Sequence, residues 1–107
     1  MMILHYLAAI FAGLFLCNCI PHLARGLCGE PFPTPFAKPP GIGHSSALVN
    51  FLWGFVNMTA GLMLLPWGMV RIELTAGFLL FLAAFAISGI YMSRHFEAVR
   101  LGKKDKK

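Results

Sequence analysis

The chain has 107 residues, room for a single domain at most, and is 58% hydrophobic with only 12% charged residues. Soluble domains carry about 25% charged residues, so this composition excludes a water-soluble globule. The formal net charge of +5 is concentrated toward the C-terminus without interleaved aromatic residues, which speaks against a nucleic-acid surface and for orientation in a bilayer.

The first stretch, residues 2–20 ("MILHYLAAIFAGLFLCNCI"), holds no Asp, Glu, Lys or Arg. It is long enough to cross a hydrocarbon core, which takes about 20 apolar residues, and in lipid a helix is the way to satisfy its backbone. The lack of a basic leader and of a small-residue cleavage site makes it a retained span rather than a signal peptide. The span is expected to end at about residue 20, with the loop beginning at Pro21, which can unwind the turn there. Cys17, Cys19, His22 and Cys28 carry ligand chemistry for zinc or cuprous copper. However, Cys17 and Cys19 lie about 200° apart on a regular helix and no standard zinc spacing is present, so no metal and no cofactor is expected. His5 is read as an interfacial residue at the opposite end.

Residues 21–46 are a long loop, and residues 29–46 ("GEPFPTPFAKPPGIGHSS") contain five prolines and three glycines. The prolines favour an extended, polyproline-like course, and Gly41 and Gly43 allow a return into the next helix, capped by Ser45 or Ser46. A disordered linker is poor in aromatics, yet this one holds Phe32 and Phe36. Both rings are therefore expected to dock on the bundle or its lipid interface, making the loop an ordered lid.

The second span, residues 47–65, places Asn50, Gly54, Asn57 and Gly61 on one stripe by steps of four, three and four. Lipid supplies no hydrophobic drive for helix association, so small residues and hydrogen-bonding side chains mark a packing face; lining of a pore by the two asparagines is the alternative. Ala9, Gly13 and Cys17 on the first span, and Gly77, Ala84 and Ser88 on the third, offer matching small-residue lines. Residues 66–73 ("PWGMVRIE") are a short turn, which predicts an antiparallel hairpin of spans two and three. The third span, residues 74–92, is expected to continue as a helix until Gly102, within a basic tail of residues 93–107.

The loop and tail together carry eight Lys and Arg, against Arg71 alone in the other connection. The positive-inside rule then puts the N-terminus outside and the loop and C-terminus in the cytoplasm. His22, Arg25, His44, Arg94 and His95 fall near that membrane surface, where imidazoles and guanidinium groups form a candidate ring for headgroup phosphates or another anion.

Residues 18–57 ("NCIPHLARGLCGEPFPTPFAKPPGIGHSSALVNFLWGFVN") resemble a family of small, uncharacterised bacterial inner-membrane proteins. Its pattern is Asn-x-Ile-Pro-His, then Pro-Phe-Pro-x-Pro-Phe, then Pro-Pro-Gly-x-Gly-x-Ser-Ser before Asn-x-x-Trp-Gly. The resemblance implies a bacterial membrane location and brings no activity, cofactor or catalytic residue. The resulting expectation is an all-helical, single-domain membrane protein of three transmembrane helices. It has no recognisable catalytic constellation, since no nucleophile and base, carboxylate pair or phosphate loop is present. It acts as an accessory, assembly or interaction subunit whose partners are the bilayer and a second copy or a larger membrane protein. An oligomeric small-solute or ion transporter or channel is the alternative.

Overall fold

The structure, a computed structural model, describes residues 2–102; Lys103, Lys104, Lys106 and Lys107 of the basic tail lie outside the described residues. It is all-helical: α1 (Met2–Leu27), α2 (Ala47–Trp67) and α3 (Ala76–Arg100), each long and apolar enough to cross a membrane. Large apolar side chains cover the outside of the bundle, among them Phe11, Leu52, Phe55, Val56, Met63, Leu79 and Ile87. Alanine, glycine, cysteine and asparagine fill the inside. This inversion of the soluble pattern suits a lipid environment and makes the chain a multi-pass membrane protein.

α1 does not stop before Pro21 but runs seven residues further, so the connection to α2 is residues 28–46. Proline removes one helical hydrogen bond. The turns beyond it are nonetheless held by packing: His22 is buried and Gly26 lies so close to α2 that a Cβ there would meet Phe51 N at 2.6 Å. α2 likewise includes Pro66 and Trp67, and His5 Nδ1 donates to the Trp67 carbonyl at 2.6 Å, so His5 ties α1 to the far end of α2. α3 begins after an N-cap at Thr75, whose Oγ1 accepts from Phe78 N at 3.2 Å, and runs as one helix through the position expected as its membrane exit. Gly102, at φ +76°, follows its end, a conformation glycine adopts without steric cost.

The predicted hairpin of the second and third spans is not formed. α1 lies in the middle and packs on both α2 and α3, while α2 and α3 make no contact with each other. The reason is the distribution of small residues. Along the antiparallel α1–α2 seam, a Cβ at Gly54 would meet Leu23 N at 2.8 Å, one at Gly61 would meet Leu16 Cγ at 2.6 Å, and one at Gly68 would meet Ala9 Cα at 2.7 Å. Both partners step by seven residues, Ala9, Leu16 and Leu23 against Gly68, Gly61 and Gly54, which is the repeat of a left-handed helix crossing. The parallel α1–α3 seam uses another face of α1: a Cβ at Gly13 would meet the Phe81 carbonyl oxygen at 2.5 Å and Ala84 Cβ at 3.1 Å, and Cys17 lies against Gly89. With α1 supplying both close-approach faces, α2 and α3 come together at the turn that joins them, where a Cβ at Gly77 would meet the Gly68 carbonyl oxygen at 2.6 Å.

Candidate functional site: the loop-capped end of the bundle

The Pro-rich segment closes one end of the bundle, and it is not extended. Phe32 and Ser45 pair as a two-residue antiparallel bridge, with Phe32 N to Ser45 O at 3.2 Å and Ser45 N to Phe32 O at 3.0 Å. Within it, Gly41 N donates to Thr34 O at 2.8 Å, while Thr34 Oγ1 accepts from Phe36 N at 3.1 Å and shares a 2.5 Å hydrogen bond with Ser45 Oγ. Thr34 is only 1% exposed and is the hub of this turn. Nothing in a proline-rich string singles it out beforehand. Ser46 caps α2, its Oγ accepting from Val49 N at 3.2 Å.

Asn50 clamps the loop to the helices. It is fully buried, and its Nδ2 donates to the carbonyls of Phe32 (2.9 Å), Ser46 (3.0 Å) and Ser45 (3.2 Å). Those three acceptors fix the amide orientation, so Oδ1 faces His22 Nδ1 at 2.7 Å and must accept a proton from it. His22 is therefore the Nδ1–H tautomer when neutral, with Nε2 left as an acceptor. Two turns of α2 further along, Asn57 Oδ1 accepts from Asn18 Nδ2 at 3.1 Å and Asn57 Nδ2 donates to the Trp53 carbonyl at 2.8 Å. Asn50, Gly54, Asn57 and Gly61 are the four buried residues of α2.

The two loop phenylalanines have different fates. Phe32 sits in an aromatic cluster that joins the loop to α1 and α3, 4.6 Å from the Phe96 ring of α3, 5.5 Å from the His22 ring of α1, and 5.8 Å beneath the Arg25 guanidinium. Phe36 packs edge-on against Trp53 at 5.0 Å but remains 62% exposed. Its expected docking is thus a one-sided contact, because the adjacent buried positions are occupied by Pro33, Thr34 and Ala37.

The expected ring of His22, Arg25, His44, Arg94 and His95 is divided among three places. Arg25, paired with Glu30 at 3.1 Å, and His44 line a groove of about 370 Å³ together with Arg100 and Glu97 over Phe32, Phe96 and Val99. His22 and His95 line a second groove of about 360 Å³ on the α2–α3 side. Arg94 is exposed and borders neither. Each groove joins one of these α1 residues to α3: Arg25 meets Glu97 and Arg100 in the first, and His22 meets His95 in the second. His95, expected at the headgroup level, ties α3 to the loop, its Nε2 donating to the Gly41 carbonyl at 2.7 Å.

The cysteines do not converge: Cys17 faces α3, Cys19 Sγ donates to the Leu16 carbonyl at 3.0 Å, and Cys28 is exposed. Among the described residues, no three His, Cys, Asp or Glu side chains come together as a metal site. Comparison with known proteins yields no match to a protein family, a curated protein or a solved structure.

Proposed function

We propose that this chain is a non-catalytic accessory or assembly subunit of a bacterial inner membrane, with its N-terminus outside and its loop end and C-terminus cytoplasmic. The observation that carries this reading over a channel or transporter is that the polar stripe of α2 is spent inside the protein. Asn50 is bonded to His22 and to three loop carbonyls, Asn57 to Asn18 and Trp53, and Gly54 and Gly61 are covered by Leu23 and Leu16. Side chains committed in this way fix helix packing and leave no polar file for a permeating solute. No Asp, Glu, Lys or Arg lies in residues 2–20, 47–65 or 74–92 to relay protons or ions. The outward apolar faces of α2 and α3, together with the rigid loop, are the surfaces offered to a larger membrane protein or a second copy.

The bacterial inner membrane is supported by the resemblance of residues 18–57, and the orientation by the excess of Lys and Arg in the loop and tail. The deciding experiment has two arms. Native mass spectrometry after mild-detergent extraction from the producing membrane is expected to find a stoichiometric assembly. Reconstituted vesicles are expected to pass ions and small solutes no faster than protein-free ones. Saturable flux from the reconstituted protein refutes the subunit reading.

A further inference from the structure

The groove of about 360 Å³ on the α2–α3 side borders the loop clamp, since His22 and Thr34 line it, but excludes the packing stripe of α2. Its floor is Asn18 and His22 of α1, its walls are Trp53 of α2 and Tyr91 and His95 of α3, and the Pro33–Pro35 and Pro40–Gly41 stretches of the loop roof it. It lies between α2 and α3, which do not pack against each other. Its volume falls in the range of small-molecule sites, about 300 to 1,000 Å³, which combine aromatic walls with a few polar groups.

The polar groups are specific. Among the described residues, the Trp53 indole Nε1 is the one buried side-chain nitrogen or oxygen with no hydrogen-bond partner. An unmet buried donor costs about 1 to 3 kcal/mol, but with no accessible surface this one reaches a ligand in the groove only if the indole turns. The two imidazoles present the opposite need. His22 spends its proton on Asn50 and His95 spends its proton on the Gly41 carbonyl, so each neutral ring keeps one nitrogen as an acceptor. No Asp, Glu, Lys or Arg lines this groove, in contrast to its neighbour with Arg25, Glu97 and Arg100. An ionic head is therefore disfavoured. The fitting head is uncharged, with a hydroxyl for an imidazole. The stacked pair of Tyr91 and His95, 11° from parallel, adds a flat wall that favours a planar ring.

We propose that this groove binds the planar, oxygen-bearing ring of a quinone- or quinol-type lipid, its tail leaving between α2 and α3 into the bilayer. This is binding alone, independent of any protein partner.

The test uses Trp67→Phe, which leaves Trp53 as the sole tryptophan. The protein, in phosphatidylcholine nanodiscs, is titrated in parallel with a fully ring-substituted benzoquinone bearing a short alkyl tail and with its quinol, whose hydroxyls can donate to the imidazoles. A bound quinone quenches the adjacent indole, so saturable loss of Trp53 emission is expected. Met92→Phe, which fills the groove from its α3 wall, should weaken binding about tenfold, equivalent to 1.4 kcal/mol. Leu62→Phe on the exposed face of α2 should leave it unchanged. Tyr91→Leu, at a side chain 68% exposed and hence tolerated by the fold, should weaken it in the same direction as Met92→Phe. Quenching that rises linearly with quinone, or that saturates alike in wild type and both groove variants, overturns the assignment. Displacement by dioleoylglycerol at equal concentration overturns the planar-ring class, because that lipid offers hydroxyl and carbonyl without the ring.

Discussion

Replacing Asn50 by leucine keeps its approximate size and removes every polar contact it makes, so the cost can be apportioned from the geometry. Three loop carbonyls lose a donor, yet each retains another: Phe32 O has Ser45 N, Ser45 O has Phe32 N, and Ser46 O has the Asn50 backbone N–H at 3.0 Å. The group left without a partner is His22 Nδ1–H, in a side chain only 2% exposed. An orphaned buried donor costs about 1 to 3 kcal/mol, and the lost loop contacts add about 1, for a total of roughly 2 to 4 kcal/mol. Unfolding in mixed micelles, followed by loss of helical circular dichroism on titration with a denaturing detergent, measures this directly. The loop should also become cleavable within residues 29–46, with α1 still anchored to α2 by its glycine seam. Adding His22→Phe to Asn50→Leu removes both ends of the hydrogen bond, so the double variant should lose clearly less than the sum of the two singles. Strict additivity, or an Asn50→Leu protein as stable as wild type, refutes the assignment of His22 and Asn50 as a mutually dependent buried pair.

The remaining predictions concern packing, the lid and topology. Gly54→Leu and Gly26→Leu should each abolish the folded bundle, since even a Cβ comes within 2.8 Å of Leu23 N and 2.6 Å of Phe51 N, whereas Leu62→Ala on the exposed face should change stability by less than about 0.5 kcal/mol; the same detergent titration measures all three. Phe32→Ala should cost about 1.5 to 3 kcal/mol and open the loop to limited proteolysis, while Phe36→Ala, removing a ring already largely exposed, should leave the cleavage pattern unchanged. A fluorescent protein fused after Lys107 should fluoresce and alkaline phosphatase at the same place should be inactive; the opposite pair of results reverses the proposed orientation.

How legible the bundle is in its sequence depends on whether the signal is local. The three long apolar runs are local, and so is the 4-3-4 spacing of Asn50, Gly54, Asn57 and Gly61, whose positions are the buried ones of α2. Pro21 is a local signal as well, but a misleading one. The energy that carries α1 past it comes from His22 and Gly26 seated on α2, contacts between residues 25 to 28 apart. The central position of α1 is likewise non-local. A short turn brings the ends of two helices together, and only the glycine-lined faces decide that α2 and α3 then both turn to α1. Thr34 and the His22–Asn50 bond were missed because burial of a threonine among prolines, and the pairing of a histidine with an asparagine from another helix, depend on how the loop folds back. The expected docking of Phe36 on the bundle or its lipid interface does not fix how deeply the ring is buried, because an aromatic in a loop reports only a preference for apolar surroundings; its contact is edge-on to Trp53.

The central placement of α1 also bears on how the protein is made. Ribosomes deliver α1 first, and every interhelical surface in the bundle includes it. Neither later helix has to part an existing pair to find its seat. α2 can dock as soon as it emerges, and α3 adds from the other side without disturbing that seam. The Phe32–Phe96 and His95–Gly41 contacts then form last, so closure of the lid reports that the final helix has arrived. A nascent chain halted before α3 would hold the Asn50 clamp and the glycine seam but lack these two latches, a distinction that proteolysis of arrested translation intermediates can resolve.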